Sequence, residues 1–316
     1  MIVLPNSSLQ LLWGCNPALQ FEKAWLLHLL RHNVSSQLEC WSQPSQILLR
    51  NKSLFPVLVE SGLLRLHRTP SASALAAEQS SRIFRISALK EYGEFGVIHL
   101  SDEEGLDALT WYHLCPHGTS IWRNFTHHYF SASSYIHSFP IGPRDIFLSS
   151  ESPLLNSSLS STRPYPWTFM GTLWSSGSRC LAASLFLRAL PNGFFFSASS
   201  FSCGLPLDKY RDYLSHSVFS LCPDGDRHFD TFRLWESLST GTIPLVIDNR
   251  HSLSLIFPDG HPIPTFSSWK DALFFASSYL ARPTALNALQ FSISSWWTSS
   301  QHTLSRSLSS SFSFKS

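Results

Sequence analysis

Charge is scarce in this chain. Lys, Arg, Asp and Glu make up 14% of its 316 residues, and 23 basic against 21 acidic side chains leave a formal net charge of +2. No basic run stands out, which argues against a nucleic-acid backbone as the main partner while leaving a small anion compatible. No stretch approaches the roughly 20 uninterrupted apolar residues of a bilayer-spanning helix, and no basic segment followed by an apolar core opens the chain. No integral membrane segment is therefore expected. The six cysteines, Cys15, Cys40, Cys115, Cys180, Cys203 and Cys222, form no C-x-x-C pair and no His/Cys cluster at zinc spacing, so they read as mostly buried thiols rather than disulfides. A G-x-G-x-x-G after a strand and a G-x-x-x-x-G-K-[ST] are both missing, which argues against dehydrogenase and P-loop readings. The sequons at Asn6, Asn33, Asn51, Asn124 and Asn156 carry little weight in so serine-rich a sequence.

Apolar material, by contrast, is plentiful. Hydrophobic residues reach 43%, with 24 Phe and 11 Trp, which identifies a globular chain with real cores. Its length suggests two domains of roughly 150 residues each.

In the second half, short apolar runs alternate with helical patterns in the manner of βαβ units. The expected strands are Trp167–Leu173, Gly193–Ser199, Ser217–Cys222 and Thr242–Asp248, with helices at Ser178–Leu190, Leu207–Ser215 and Asp230–Thr240 and further helix over Ser267–Trp297. Continuous apolar strands fit a parallel sheet covered on both faces, with ligands at its carboxyl edge. The first half is noisier. Its expected strands are Leu9–Gly14, Leu54–Ser61, Glu94–Leu100, Ser120–Phe125 and Tyr135–Pro140, with a helix at Phe21–His32. Leu148–Pro166, rich in Ser and Pro, has the composition of a linker. The expectation is therefore an α/β protein with domains over residues 1–150 and 165–300 and a frayed serine-rich tail over 301–316.

Chemistry concentrates in Ser217–Asp248, SVFSLCPDGDRHFDTFRLWESLSTGTIPLVID. A strand ends at Cys222, a turn containing Gly225 follows, and a helix begins near Asp230, a natural N-cap. Unpaired N–H groups at a helix start suit a diphosphate, and Gly225 allows close backbone approach. Arg233 and Glu236 lie three apart on one helix face. Either they serve one ligand, guanidinium to phosphate and carboxylate to ribose, or they pair with each other on a solvated surface.

The stretch from Lys209 to Asp248 closely resembles the exostosin-like, family-47 glycosyltransferases. Their pattern is a Tyr-rich helix, Ser-x-Phe-x-Leu-Cys-Pro-x-Gly-Asp, an Arg-x-x-Glu helix and Gly-x-Ile-Pro-Val-Ile; every element is present, with Leu245 at the first Val. Val97–Glu103 (VIHLSDE) and Arg123-Asn124-Phe125 are similar to upstream pieces of the ribitol xylosyltransferase-like subgroup. The resemblance implies a GT-B architecture, two Rossmann-like domains facing a cleft, with the donor nucleotide in the C-terminal one. It also implies inverting transfer of a sugar from a nucleoside-diphosphate sugar, UDP-sugar by family expectation, to a hydroxyl of a glycan or polyol-containing acceptor.

Such a transfer needs positive charge on the leaving diphosphate and a general base on the acceptor hydroxyl. Arg233, Arg179 and the helix start after Gly225 are assigned to the diphosphate, Glu236 to the ribose, and Thr231 and Asp226 to the same pocket. Arg179 reads equally as a surface helix residue, and Asp226 as a brace of the turn. Asp102 and Glu103, just past a first-half strand, are the candidate bases; an ordinary helix first turn has the same residues. His99 reads as a satisfied core histidine. Arg123 either meets donor or acceptor or pairs with a nearby acid. Asp224-Gly225-Asp226 also fits an Asp-x-Asp metal motif, but in the family pattern the position before Gly varies, so no obligatory metal or other cofactor is expected. A non-catalytic nucleotide-sugar-binding homologue and, behind it, a metal-dependent Asp-x-Asp transferase are the alternatives. With the first strand entered by Leu9, the expected location is cytoplasmic, with the Golgi lumen as the alternative for a truncated enzyme.

Overall fold

A computed structural model describes residues 8–14, 20–41, 54–62, 72–148, 158–173, 177–200, 203–225 and 228–314. The chain divides into two compact units, residues 1–141 with 302–316 and residues 142–301. Each is an α/β unit built on one parallel sheet.

The first sheet contains β1 (Leu9–Trp13), β2 (Val34–Leu38), β3 (Phe55–Ser61), β4 (Gly96–Leu100), β5 (Ile121–Arg123) and β6 (Ile136–Ser138), in the order β2-β1-β3-β4-β5-β6. Every pairing is parallel. The central strands FPVLVES and GVIHL are buried throughout, as continuous apolar runs in a doubly covered sheet require. Helix α1 (Gln20–Leu30) links β1 to β2, α2 (Ala72–Tyr92) links β3 to β4, and a short α3 (Ala108–Trp111) follows β4. Leu12, Leu58, Ile86, Leu89, Val97, Trp111 and Ile121 share one core cluster. All five first-half strands expected from the sequence are present. β2 and α2 were not legible: VSSQL alternates half-buried with exposed at the sheet edge, and α2 is mostly small and polar residues with no clean apolar stripe.

The second sheet contains β7 (Tyr165–Thr172), β8 (Phe194–Ala198), β9 (Ser217–Cys222), β10 (Ile243–Ile247) and β11 (Thr265–Phe266), in the order β11-β10-β9-β7-β8 and again wholly parallel. Helices α4 (Ser178–Ala189), α5 (Leu207–Ser215) and α6 (Phe232–Ser239) connect successive strands, and the four-residue α7 (Leu253–Ile256) lies between β10 and β11. The pair α8 (Trp269–Leu280) and α9 (Pro283–Ser310) completes the chain. Here the expected strands and the first three expected helices are met to within a few residues, but the helix expected over Ser267–Trp297 is two helices, the second of which runs on to Ser310.

Two boundaries differ from expectation. The second unit begins at Gly142, not after a linker over Leu148–Pro166. The end of that stretch is anchored, since the buried Arg163 donates to the carbonyls of Ser217 (2.7 Å) and Thr240 (3.2 Å) and to Thr242 Oγ1 (2.9 Å). Residues 149–157 of that stretch lie outside the described residues. Residues 302–316, expected to fray, belong to the first unit. Ser309 Oγ donates to Asn33 Oδ1 at 2.9 Å, and the fully buried Phe312 stacks on Phe55 with centroids 6.3 Å apart. Gly96 makes that seat, because a Cβ there would lie 2.2 Å from the Phe312 ring. Burying one phenylalanine contributes about 1.5–3 kcal/mol, enough to hold a polar tail.

The cysteines are mostly thiols, as expected, since Cys115, Cys180, Cys203 and Cys222 are free, but of these only Cys222 is buried, Cys115 and Cys180 being half-buried and Cys203 exposed, and Cys40 is disulfide-bonded. Among the described residues, no helix is long and apolar enough to cross a membrane.

Candidate functional site

The strand order of the second sheet reverses at β7, with β8 on one side and β9 on the other. Ligands of open α/β sheets bind at the carboxyl ends of the strands flanking such a reversal. β7 ends here in Gly171-Thr172, and β9 in Cys222, whose thiol is pushed up to about 11, by burial above all.

After β9 the chain turns through Asp224 and Gly225, with the Gly225 N–H donating to the His228 carbonyl at 2.7 Å. Asp230 is not the cap of α6. Its Oδ1 accepts from Trp235 Nε1 at 2.5 Å, and Thr231 holds the N-cap position with no cap bond from its side chain. Thr231 Oγ1 is buried without a hydrogen-bond partner among the described residues.

Arg233 lies over the Phe169 ring, 4.7 Å from its centroid, and donates through Nη2 to the Met170 carbonyl at 3.3 Å. Its Nε and Nη1 are buried and have no partner among the described residues. Gly171 makes room for it, since a Cβ there would stand 2.6 Å from Arg233 Nη2. Arg179, at the start of α4, bridges the two strand ends by donating to the carbonyls of Thr172 (3.0 Å) and Asp224 (3.1 Å). Two guanidiniums thus grip the backbone around Gly171-Thr172. Burial first, then the neighbouring Asp248, raises the Asp224 carboxyl, while Arg179 and Arg250 oppose the shift.

Glu236 departs from its expected place facing a ribose. It is 1% exposed and forms a close ion pair with Arg144 Nε rather than with Arg233. Arg144 lies 5.1 Å from the centroid of the Tyr210 ring. Sequence reading did not single out Arg144, and no local pattern marks it, since 92 residues separate it from Glu236. Asp226, the other residue expected here, lies outside the described residues.

In the first unit the candidate base Asp102 is held in an ion pair. It is 3% exposed, pairs with Arg123 Nη2 at 3.1 Å and accepts from the N–H groups of Asp107 and Ala108 at 3.2 Å, capping the entry to α3. Arg123, also expected at a ligand, is fully buried and spent on Asp102. Glu103 is half-buried on the next residue, and its carbonyl lies 3.1 Å from His127 Nε2. His99 is a core histidine between the Tyr112 hydroxyl (3.0 Å) and Asp107 (3.1 Å), its pKa lowered chiefly by burial. The same layer holds Arg85 paired with Glu60 and Arg82 paired with Asp107. Among the described residues, no group of three or more His, Cys, Asp or Glu side chains is placed to hold a metal ion.

No protein-family model matches this chain, and no curated protein matches it.

Proposed function

We propose that the chain is an inverting glycosyltransferase of the GT-B type whose second unit holds the diphosphate of a UDP-sugar. One observation carries the reading: among the described residues Arg233 keeps two buried donors without hydrogen-bond partners at the reversal point of the sheet, beside the start of α6, where the Thr231 side chain makes no cap bond. A buried cation with unused donors is costly unless an anion completes it. Diphosphate supplies that anion, and as a leaving group it gathers the charge that Arg233, Arg179 and the α6 N-terminus would stabilise. The resemblance of Lys209–Asp248 to family-47 enzymes turns the anion into a sugar nucleotide. The base for a glycan or polyol hydroxyl is assigned to Glu103, the half-buried carboxylate next to the ion-paired Asp102. Glu236 is not carried forward as the ribose ligand. The disulfide at Cys40 favours an oxidising lumen over the cytoplasm.

The engagement of Asp102 with Arg123 supports a second reading, a nucleotide-sugar-binding homologue without turnover. Calorimetric titration with UDP, together with UDP release from UDP-sugars in the presence of acceptors, separates the two. The transferase reading expects UDP binding and acceptor-dependent release. Arg233→Ala should weaken binding about 10- to 100-fold, since a hydrogen bond to a charged group contributes about 1.5–3 kcal/mol. Unchanged binding in that variant sinks both readings.

A further inference from the structure

Arg233 and Glu236 stand three apart on α6, the spacing at which an arginine and a glutamate neutralise each other. They do not. Glu236 is held by Arg144, and Arg233 keeps Nε and Nη1 without hydrogen-bond partners among the described residues. Arg144 is itself fixed for the task, because its guanidinium lies over Tyr210 at 5.1 Å and within 5.9 Å of the Phe147 centroid, and both rings are buried. Phe147, Tyr210, Met170 and Leu214 form one core cluster, so the surface on which Arg144 rests is rigid. Met170 also supplies the carbonyl that orients Arg233.

We infer that Arg144 is a positioning residue for the anion site: by holding Glu236 it withholds that carboxylate from Arg233 and keeps the Arg233 donors open to a phosphate group. The inference rests on the reading of Arg233 as an anion ligand. Without Arg144, the buried Glu236 would lack a counter-charge, and the nearest remedy is Arg233 one turn away. The anion site would then be quenched from within, although no ligand-contacting residue had changed. A merely structural role for Arg144 predicts lost stability but no such dependence on Glu236.

The test is calorimetric titration of inorganic diphosphate into the full chain, with folding of each variant checked by circular dichroism. Wild-type binding that Arg233→Ala abolishes establishes the underlying reading; its absence defeats reading and inference together. Given that binding, Arg144→Met should weaken diphosphate at least tenfold, Arg144→Lys should stay near wild type, and Arg144→Met/Glu236→Gln should return to within about threefold of it. Glu236→Gln alone should bind no more weakly than wild type. In ¹⁵N-arginine spectra the Arg233 Nε–H signal should move in Arg144→Met and return in the double variant. A folded double variant as weak as Arg144→Met, or an Arg233 signal unmoved by Arg144→Met, overturns the inference.

Discussion

The two sheets share a plan but spend charge differently. Both are wholly parallel, and in both the second strand of the unit flanks the first on one side while the third flanks it on the other. At the corresponding edge of the first sheet, buried charges are compensated: Glu60 takes Arg85, Asp107 takes Arg82, and Asp102 takes Arg123. At the edge of the second, Glu236 is compensated by Arg144, but Arg233 has no carboxylate paired with it among the described residues. Buried atoms lack hydrogen-bond partners at both edges, Arg82 Nε and Ser61 Oγ in the first and Arg233 Nε, Arg233 Nη1 and Thr231 Oγ1 in the second, so it is the missing counter-charge that sets Arg233 apart. A buried ion pair is costly to break from one side, whereas a guanidinium without a counter-charge takes up an anion without breaking one. Asp102, which looked catalytic in sequence, belongs to the compensated edge, paired with Arg123 at 3.1 Å.

The sharpest break of that contrast is Glu60→Ala. It leaves the buried Arg85 with only the part-exposed Glu78 and removes a carboxylate 3.6 Å from Arg82 Nε. A loss of about 3 kcal/mol in unfolding free energy is expected by denaturant titration, because two buried guanidiniums lose a shared counter-charge. The matching change in the second unit is Gly171→Ala, whose methyl would collide with the flexible end of Arg233 and push its guanidinium aside. Diphosphate affinity should fall about tenfold, the value of one charge-assisted hydrogen bond, and stability should fall by about 1–3 kcal/mol as well, because Gly171 has a φ of +154° that an alanine adopts only under strain.

Acid should sharpen the difference next. His99 and Asp107 both have lowered pKa values, for His99 chiefly because burial disfavours its charged form. Asp107 is lowered by the hydrogen bond to His99, by His99's charge and by Arg82, against the opposing effect of burial. A depressed folded pKa contributes stability above the unfolded value that is lost as pH falls. The His99 share is therefore present above about pH 6.5 and declines below it by up to about 1.4 kcal/mol per pH unit. Unfolding free energies measured between pH 7.5 and 5 should show that decline, and His99→Gln should flatten it.

The smallest effects compare two helix starts in the second unit. Ser268 caps α8 by accepting from the Asp271 N–H, whereas Thr231 makes no cap bond at α6. Ser268→Ala should lose about 1 kcal/mol of stability and leave diphosphate binding intact. Thr231→Ala should leave the melting temperature in place and weaken diphosphate a fewfold. The opposite pattern would make Thr231 an ordinary cap.

Much of the architecture was legible because buried parallel strands are short continuous apolar runs, and SVFSLC or GVIHL reads as one before any coordinates exist. The α6 segment was legible for a related reason: turn glycine, strand end and Arg-x-x-Glu are neighbours in the chain. Elements whose character depends on neighbours were not. β2 is polar because it lies at an edge, α2 buries two arginines rather than a leucine stripe, and the serine-rich C-terminus is held by Phe312 under a glycine of another element.

The sequence alone therefore determined two α/β halves, the position of the Gly225 turn and the start of a helix carrying Arg233 and Glu236, all consequences of local pattern. Only the tertiary structure decided which charges meet. Asp102 and Arg123 close on each other, Glu236 turns to Arg144 from 92 residues away, and Arg233 is left open. Ion pairing depends on distance in space and on burial, and neither is written in the spacing of residues along a chain.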